Sequence, residues 1–166
     1  MAFKIGDTVV LPDHGVGKIV RLEEKRFAGA AARLYYEVST PRSTIWVPAD
    51  QNVTVGLRAI INPTELPRYR RVLTSAPVEL DSDRRQRQLE VSQRLKQNTF
   101  QLLCEVVRDL SARGWRKSLN ETDMLALRKA RESLCEEWSN AAGIPLAEAM
   151  HEVDDLLAEA KLAHTV

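Results

Sequence analysis

Over its first part the chain carries its apolar residues in short runs rather than long stripes. Thr8-Val-Val-Leu11, Lys18-Ile-Val-Arg-Leu22, Arg33-Leu-Tyr-Tyr-Glu-Val38 and Thr44-Ile-Trp-Val47 are rich in β-branched and aromatic side chains. Turn formers separate them at Pro12-Asp-His-Gly15, Ala28-Gly29 and Thr40-Pro-Arg-Ser43, so each run is predicted as a strand in a unit of five short strands. Val55-Gly-Leu-Arg-Ala-Ile-Ile61 closes the unit. Partial alternation and close spacing suit a small SH3-like or Tudor-like β-barrel with a narrow interior. Asn62 and Pro63 then read as the cap and first residue of a short helix, where the missing proline N–H costs nothing. Thr74-Ser-Ala-Pro77 ends it, and Val78 to Asp83 reads as a linker.

From Arg84 the period changes. Val91, Leu95, Leu102, Val106 and Leu110 recur at helical spacing, with Leu103 and Val107 widening the stripe and Gly114 as its stop. A second helix is signalled by Asn120 as cap with Asp123 three residues on, and its apolar face runs Leu127, Ala130, Leu134 and Trp138. Asn140 to Gly143 terminates it. A third, Leu146 to Lys161, turns Ala149 or Met150, Val153, Leu156, Leu157 and Ala160 inward. Helices this short need one another, so a bundle is expected. The predicted class is α+β: a β-module over 1–61, a short helix and linker over 62–83, and a helical domain over 84–166.

A hydrophobic content of 44% and a net charge of +1 suit a folded chain rather than a disordered one. No apolar run is long enough to span a bilayer, and the first residues lack a signal-peptide layout, so a cytoplasmic protein is expected. Net charge hides the useful signal. Residues 84–131 carry 12 basic against 5 acidic side chains, a balance of +7, whereas 132–166 carry 1 against 8, a balance of −7. Such polarity points to a polyanionic partner for the middle segment. Cys104 and Cys135 lie among apolar helical residues without metal-ligand spacing and read as reduced packing residues. His14 reads as a turn residue. With no phosphate-cradling loop and no nucleophile or metal constellation, neither an enzyme nor a cofactor is expected.

Phe3-Lys-Ile-Gly-Asp-Thr-Val-Val-Leu-Pro-Asp-His-Gly-Val-Gly17 resembles the opening of the CarD/CdnL family of bacterial transcription regulators, whose first module also occurs in the transcription-repair coupling factor. Gly29, Tyr35-Tyr36, Val47-Pro48, Val55-Gly-Leu-Arg58, Glu105-Val-Val-Arg-Asp-Leu110 and Lys129-Ala-Arg131 extend the resemblance over nearly the whole chain. The resemblance implies a module that binds the RNA polymerase β subunit and a helical domain that contacts promoter DNA near the upstream edge of the melted region. The protein would then be associated with the nucleoid through polymerase.

Lys25 and Trp46 match the family's polymerase-contacting strands. Trp46 is either a hot spot or a filler of the barrel; Ile45 and Val47, on the opposite pleat face, read as the inward pair. Of the adjacent Tyr35 and Tyr36, one is expected in the core and the other at the surface. Arg84, Arg85 and Arg87 match the family's DNA-backbone cluster, and Lys129 matches a further basic position, with Arg128 and Arg131 alongside. The family often carries a wedging Trp before the basic cluster, whereas Asp81-Ser-Asp-Arg-Arg85 has no aromatic. Trp115, in the basic stretch Arg113-Gly-Trp-Arg-Lys117, is either a substitute for it or a packing lid. The family's glycine turn between two bundle helices is also missing from Gln93 to Phe100, which implies helices fused or kinked there. A second reading keeps the polymerase contact and gives the helical domain a protein partner. A third is an architectural DNA binder independent of polymerase.

Overall fold

The structure, a computed structural model, describes residues 3–12, 14–29, 31–49 and 56–165. Asp13 of the first predicted turn and Val55 of the closing segment lie outside these. The chain divides into two compact units, residues 1–60 and 61–166.

The first unit is a five-stranded antiparallel sheet. Strands β1 (Thr8–Leu11), β2 (Gly15–Lys25), β3 (Arg33–Ser39), β4 (Thr44–Pro48) and β5 (Arg58–Ala59) lie in the order β4-β3-β2-β1-β5. The register between β2 and β3 slips between Ile19 and Arg21, and an extra residue in one strand bends a sheet. One face buries Val9, Leu11, Ile19, Tyr36, Val38, Val47 and Leu57, with Ile45 packed against them. Ile45 and Val47 are thus the inward pair. A Cβ on Gly17 would meet Val38 Cγ1 at 2.7 Å, so only glycine lets β2 pass β3 here.

The expectation that Tyr35 and Tyr36 divide between surface and core is half right. They face opposite ways, yet both are buried, at 9% and 2% exposure. Tyr36 joins the inner core and its hydroxyl accepts the Phe3 N–H at 3.0 Å. Tyr35 lies on the outer face, where the Phe27 ring stands edge-on to it at 5.2 Å.

In the second unit, Asn62 caps a 3-10 turn at Pro63–Glu65, followed by α1 (Leu66–Thr74), α2 (Arg84–Lys96), α3 (Phe100–Arg116), α4 (Glu121–Ala142) and α5 (Leu146–His164). Leu66, Tyr69, Leu73 and Leu80 enter the same core as Val91, Phe100, Val107, Leu110, Leu134, Trp138 and Val153. Residues 62–83 therefore belong to the helical unit instead of standing apart from it.

Two expectations about this unit are corrected. The stripe from Arg84 to Leu110 is broken, because Asn98 takes φ +50° and the Thr99 side chain accepts from Leu102 N–H at 3.1 Å, starting α3 afresh. Asn tolerates left-handed backbone better than other non-glycine residues, so the chain turns here without a glycine. Gly114 does not stop α3, which continues to Arg116. Its helix penalty, about 1 kcal/mol relative to Ala, is smaller than what burial of the same helix returns. The cap at Asn120 and the left-handed Gly143 bound α4 as predicted.

Candidate functional site

On the β-unit the register fixes which side chains share the outer face. Trp46 pairs with Glu37, Glu37 with Arg21, Tyr35 with Glu23 and Arg33 with Lys25. With Tyr36, Val38 and Val47 inward, these point out. Lys25 Nζ lies 3.9 Å from the centre of the Trp46 ring, a cation–π contact. The two residues singled out for a polymerase contact are therefore one unit, on a face that ends at edge strand β4. Arg21 stands 3.9 Å from Glu37 and 3.8 Å from Glu23, so the surroundings mix both signs.

On the helical unit, the cations from sequence separate into two kinds. Arg84 and Arg85 are exposed in the first turn of α2, whose start is capped by Asp83. Arg128 and Lys129 are exposed on α4. Arg87 is not available. At 3% exposure, its Nε donates to Asp123 Oδ2 at 2.9 Å and its Nη1 to the carbonyls of Asp81 at 3.0 Å and Ser82 at 3.2 Å. Reaching a phosphate would strand the Asp123 carboxylate in the interior, so Arg87 is a structural pin, not a DNA contact. Arg131 faces α5, and its Nε and Nη2 donate to Asp154 Oδ1 at 3.1 and 2.5 Å. Trp115 is half-buried within the last turn of α3, not in a loop.

The Arg87–Asp123 pair joins the start of α2 to the start of α4. Arg84 and Arg85 lie within a turn of one partner, and Arg128 about 8 Å along the axis from the other. Arg116 and Lys117, exposed where α3 leads into the cap of α4, enlarge the group. Sequence reading did not single them out as contacts, although their place in a basic run was the available signal.

A second buried cluster holds the approach to α2. Asp109, at the centre of α3, accepts from Arg108 Nε at 2.8 Å, Arg94 Nη1 at 3.0 Å and the Val78 N–H at 3.0 Å, while Arg108 Nη1 donates to Ser75 Oγ at 2.9 Å. The segment read as a linker is thus strapped down at both ends, by Asp109 and by Arg87.

Both cysteines are free and buried. Burial, then the Glu137 and Glu105 carboxylates, hold the Cys104 thiol well above its ordinary range, and burial pushes Cys135 up to about 11 from 9.0. Neither is expected to react with iodoacetamide in the native protein at pH 8. Below about pH 9 both states of Cys135 hold the proton; between 9 and 11 only the folded state does. Its contribution to stability is therefore present below pH 9 and lost as pH rises toward 11, which urea midpoints across that range will show. Among the described residues no group of three or more His, Cys, Asp or Glu could hold a metal, and no helix is long and apolar enough to cross a membrane.

Comparison with known proteins matches the first unit to the CarD-like/TRCF RID domain over residues 3–61 and the second to the CarD C-terminal domain over residues 69–154. A Tudor-like β-module followed by this helical domain defines a transcription regulator. Over 147 residues, 86% of this chain and 94% of the relative, the chain is 29% identical to the protein of Bacillus subtilis (strain 168) named "Putative transcription factor YdeB". The chain belongs to the CarD family.

Proposed function

We propose that this regulator binds the RNA polymerase β subunit through the outer face of β2–β4, with Lys25 and Trp46 at its centre. Its helical unit contacts promoter DNA near the upstream edge of the transcription bubble and modulates the stability of the open complex. Edge strand β4 adds a main-chain surface of the strand-addition kind. Arg84, Arg85, Arg128 and Lys129 carry the phosphate contacts, Arg87 and Arg131 are spent on their carboxylates, and Trp115 packs. Such a protein works in the cytoplasm, on the nucleoid, and consumes no nucleotide.

The observation that carries the DNA half is the grouping of exposed cations about the pinned α2–α4 joint, within a segment of 12 basic and 5 acidic residues. An ordinary solvated helix face mixes its signs. Replacing Arg84, Arg85, Arg128 and Lys129 by alanine should weaken binding to fork-junction DNA alike for all sequences and lower the salt slope by about one per cation. Sequence-selective loss, or an unchanged slope, would reject the assignment. Retention on the isolated β-subunit lobe, lost with Trp46→Ala, tests the other half.

A further inference from the structure

α2 is attached to the bundle differently from its neighbours. Its buried side chains are Arg87 and Val91, with Leu95 packed against the core at partial burial and Leu89 turned out at 52% exposure. By contrast, the apolar side chains that α3 buries are Phe100, Cys104, Val106, Val107, Leu110 and Ala112. A helix of 13 residues is marginal in water by itself, and what docks this one is largely charge. Arg87 reaches Asp123 on α4, and Arg94 reaches Asp109 on α3. Buried ion pairs hold weakly, because desolvation offsets most of the attraction.

Both ends of α2 are built to part from the rest. At its C-terminal end Asn98 takes φ +50° and Thr99 caps α3 separately, so α3 keeps its first turn whether or not α2 is in place. At the other end the Leu80 side chain and the Val78 N–H are fixed in the bundle. The Asp81 and Ser82 carbonyls, however, are bound by Arg87 itself, and Asp83 caps α2, so these contacts travel with the helix. The groups left behind keep partners of their own. Asp109 retains Arg108 and the Val78 N–H, while Glu90 goes with Arg94. Asp123 lies in the first turn of α4, where the helix dipole favours an anion. Water reaches its carboxylate once the guanidinium and the helix that carries it leave together.

We propose that residues 81–98 form a latch. They lift from the bundle as one unit about Asn98, while α1 and α3 to α5 stay folded, and the Arg87–Asp123 pair is the catch. The latch stands without the DNA reading, and its consequence rests on that reading. Arg84 and Arg85 ride on α2, so only the closed latch holds them at the joint with α4, and its opening removes them from the DNA contact.

The test is native-state amide exchange on the full chain, followed by nuclear magnetic resonance. In the wild type, Gln88 to Lys96 should exchange about a hundredfold faster than Val106 to Leu110, because the latch opens without global unfolding. A core variant away from α2, Val153→Ala, weakens the closed and open latch alike. It should speed exchange at Val106 to Leu110 by about tenfold and leave α2 unchanged. Asp123→Asn removes the catch and should speed α2 by about tenfold or more. Exchange in α2 as slow as in α3, acceleration of α2 by Val153→Ala, or indifference of α2 to Asp123→Asn would each overturn the latch. Saturating fork-junction DNA should slow α2 exchange by about tenfold or more. If bound DNA leaves α2 unchanged, the consequence for DNA is overturned and the latch is not. A wild type that fails to bind fork DNA strikes the proposed function, and the exchange rates of the free protein still decide the latch.

Discussion

Asp109→Ala is expected to cost about 3 to 5 kcal/mol of stability, the range for removing one partner from a buried charge cluster. The carboxylate is inaccessible and accepts from two guanidinium groups and a main-chain N–H. Without it, Arg108 is left buried and uncompensated, and the Val78 N–H loses its acceptor. Asp109→Asn keeps acceptor capacity but not the charge and should fall between wild type and alanine. Urea unfolding gives the size of the effect, and amide exchange at Val78 gives its location. A loss under about 1 kcal/mol, or exchange unchanged at Val78, would mean the cluster is a bystander to the segment before α2. Because that segment sets where α2 begins, the same variant should weaken DNA binding under the proposed function, although Asp109 touches no DNA.

Trp46→Ala is expected to weaken binding to the polymerase β subunit by about 2 kcal/mol or more, roughly thirtyfold, the scale of a tryptophan hot spot. The ring lies outside the inner core, so its loss should barely move the unfolding midpoint, while it removes the largest apolar body on the outer face. Lys25 lies over the ring. If it acts by holding the indole, Lys25→Ala will cost affinity in the wild type and almost nothing in the Trp46→Ala background, so a double-mutant cycle separates positioning from direct contact. Equal costs in both backgrounds would assign Lys25 a contact of its own.

How far the sequence could be read depended on whether a residue's role was local. Strand positions followed from β-branched runs between turn formers, and α4 from its Asn120 cap and Gly143 stop, since the deciding contacts lie within a few residues. Asn98 was missed because one residue's excursion to positive φ leaves no mark on a hydrophobic stripe. Tyr35 was missed because its cover, Phe27, stands in the connection between β2 and β3, whose course the residue types do not fix. Arg87 is the instructive case. In the run Arg84-Arg85-Gln86-Arg87 nothing in the residue types distinguishes it, yet it sits one turn before Val91 and so lies on the apolar stripe of α2. Asp123 stands likewise one turn before Leu127. Two opposite charges, each misplaced on an inward face, were a signal for a buried pair; which helices met was not, because that depends on packing far apart in sequence.

The pair between Arg131 and Asp154 bears on where this protein would act. Any duplex that approaches α4 meets a helix whose cations are partly spoken for, beside a segment of 8 acidic and 1 basic residues, so distant attraction largely cancels. Alone, the helical unit should hold DNA weakly at cellular ionic strength. Once the β-module is seated on polymerase, tethering raises the local concentration of promoter to on the order of millimolar, and weak contacts suffice. Under the proposed function, free copies would leave the rest of the chromosome bare, and occupancy would follow the enzyme rather than the abundance of the regulator.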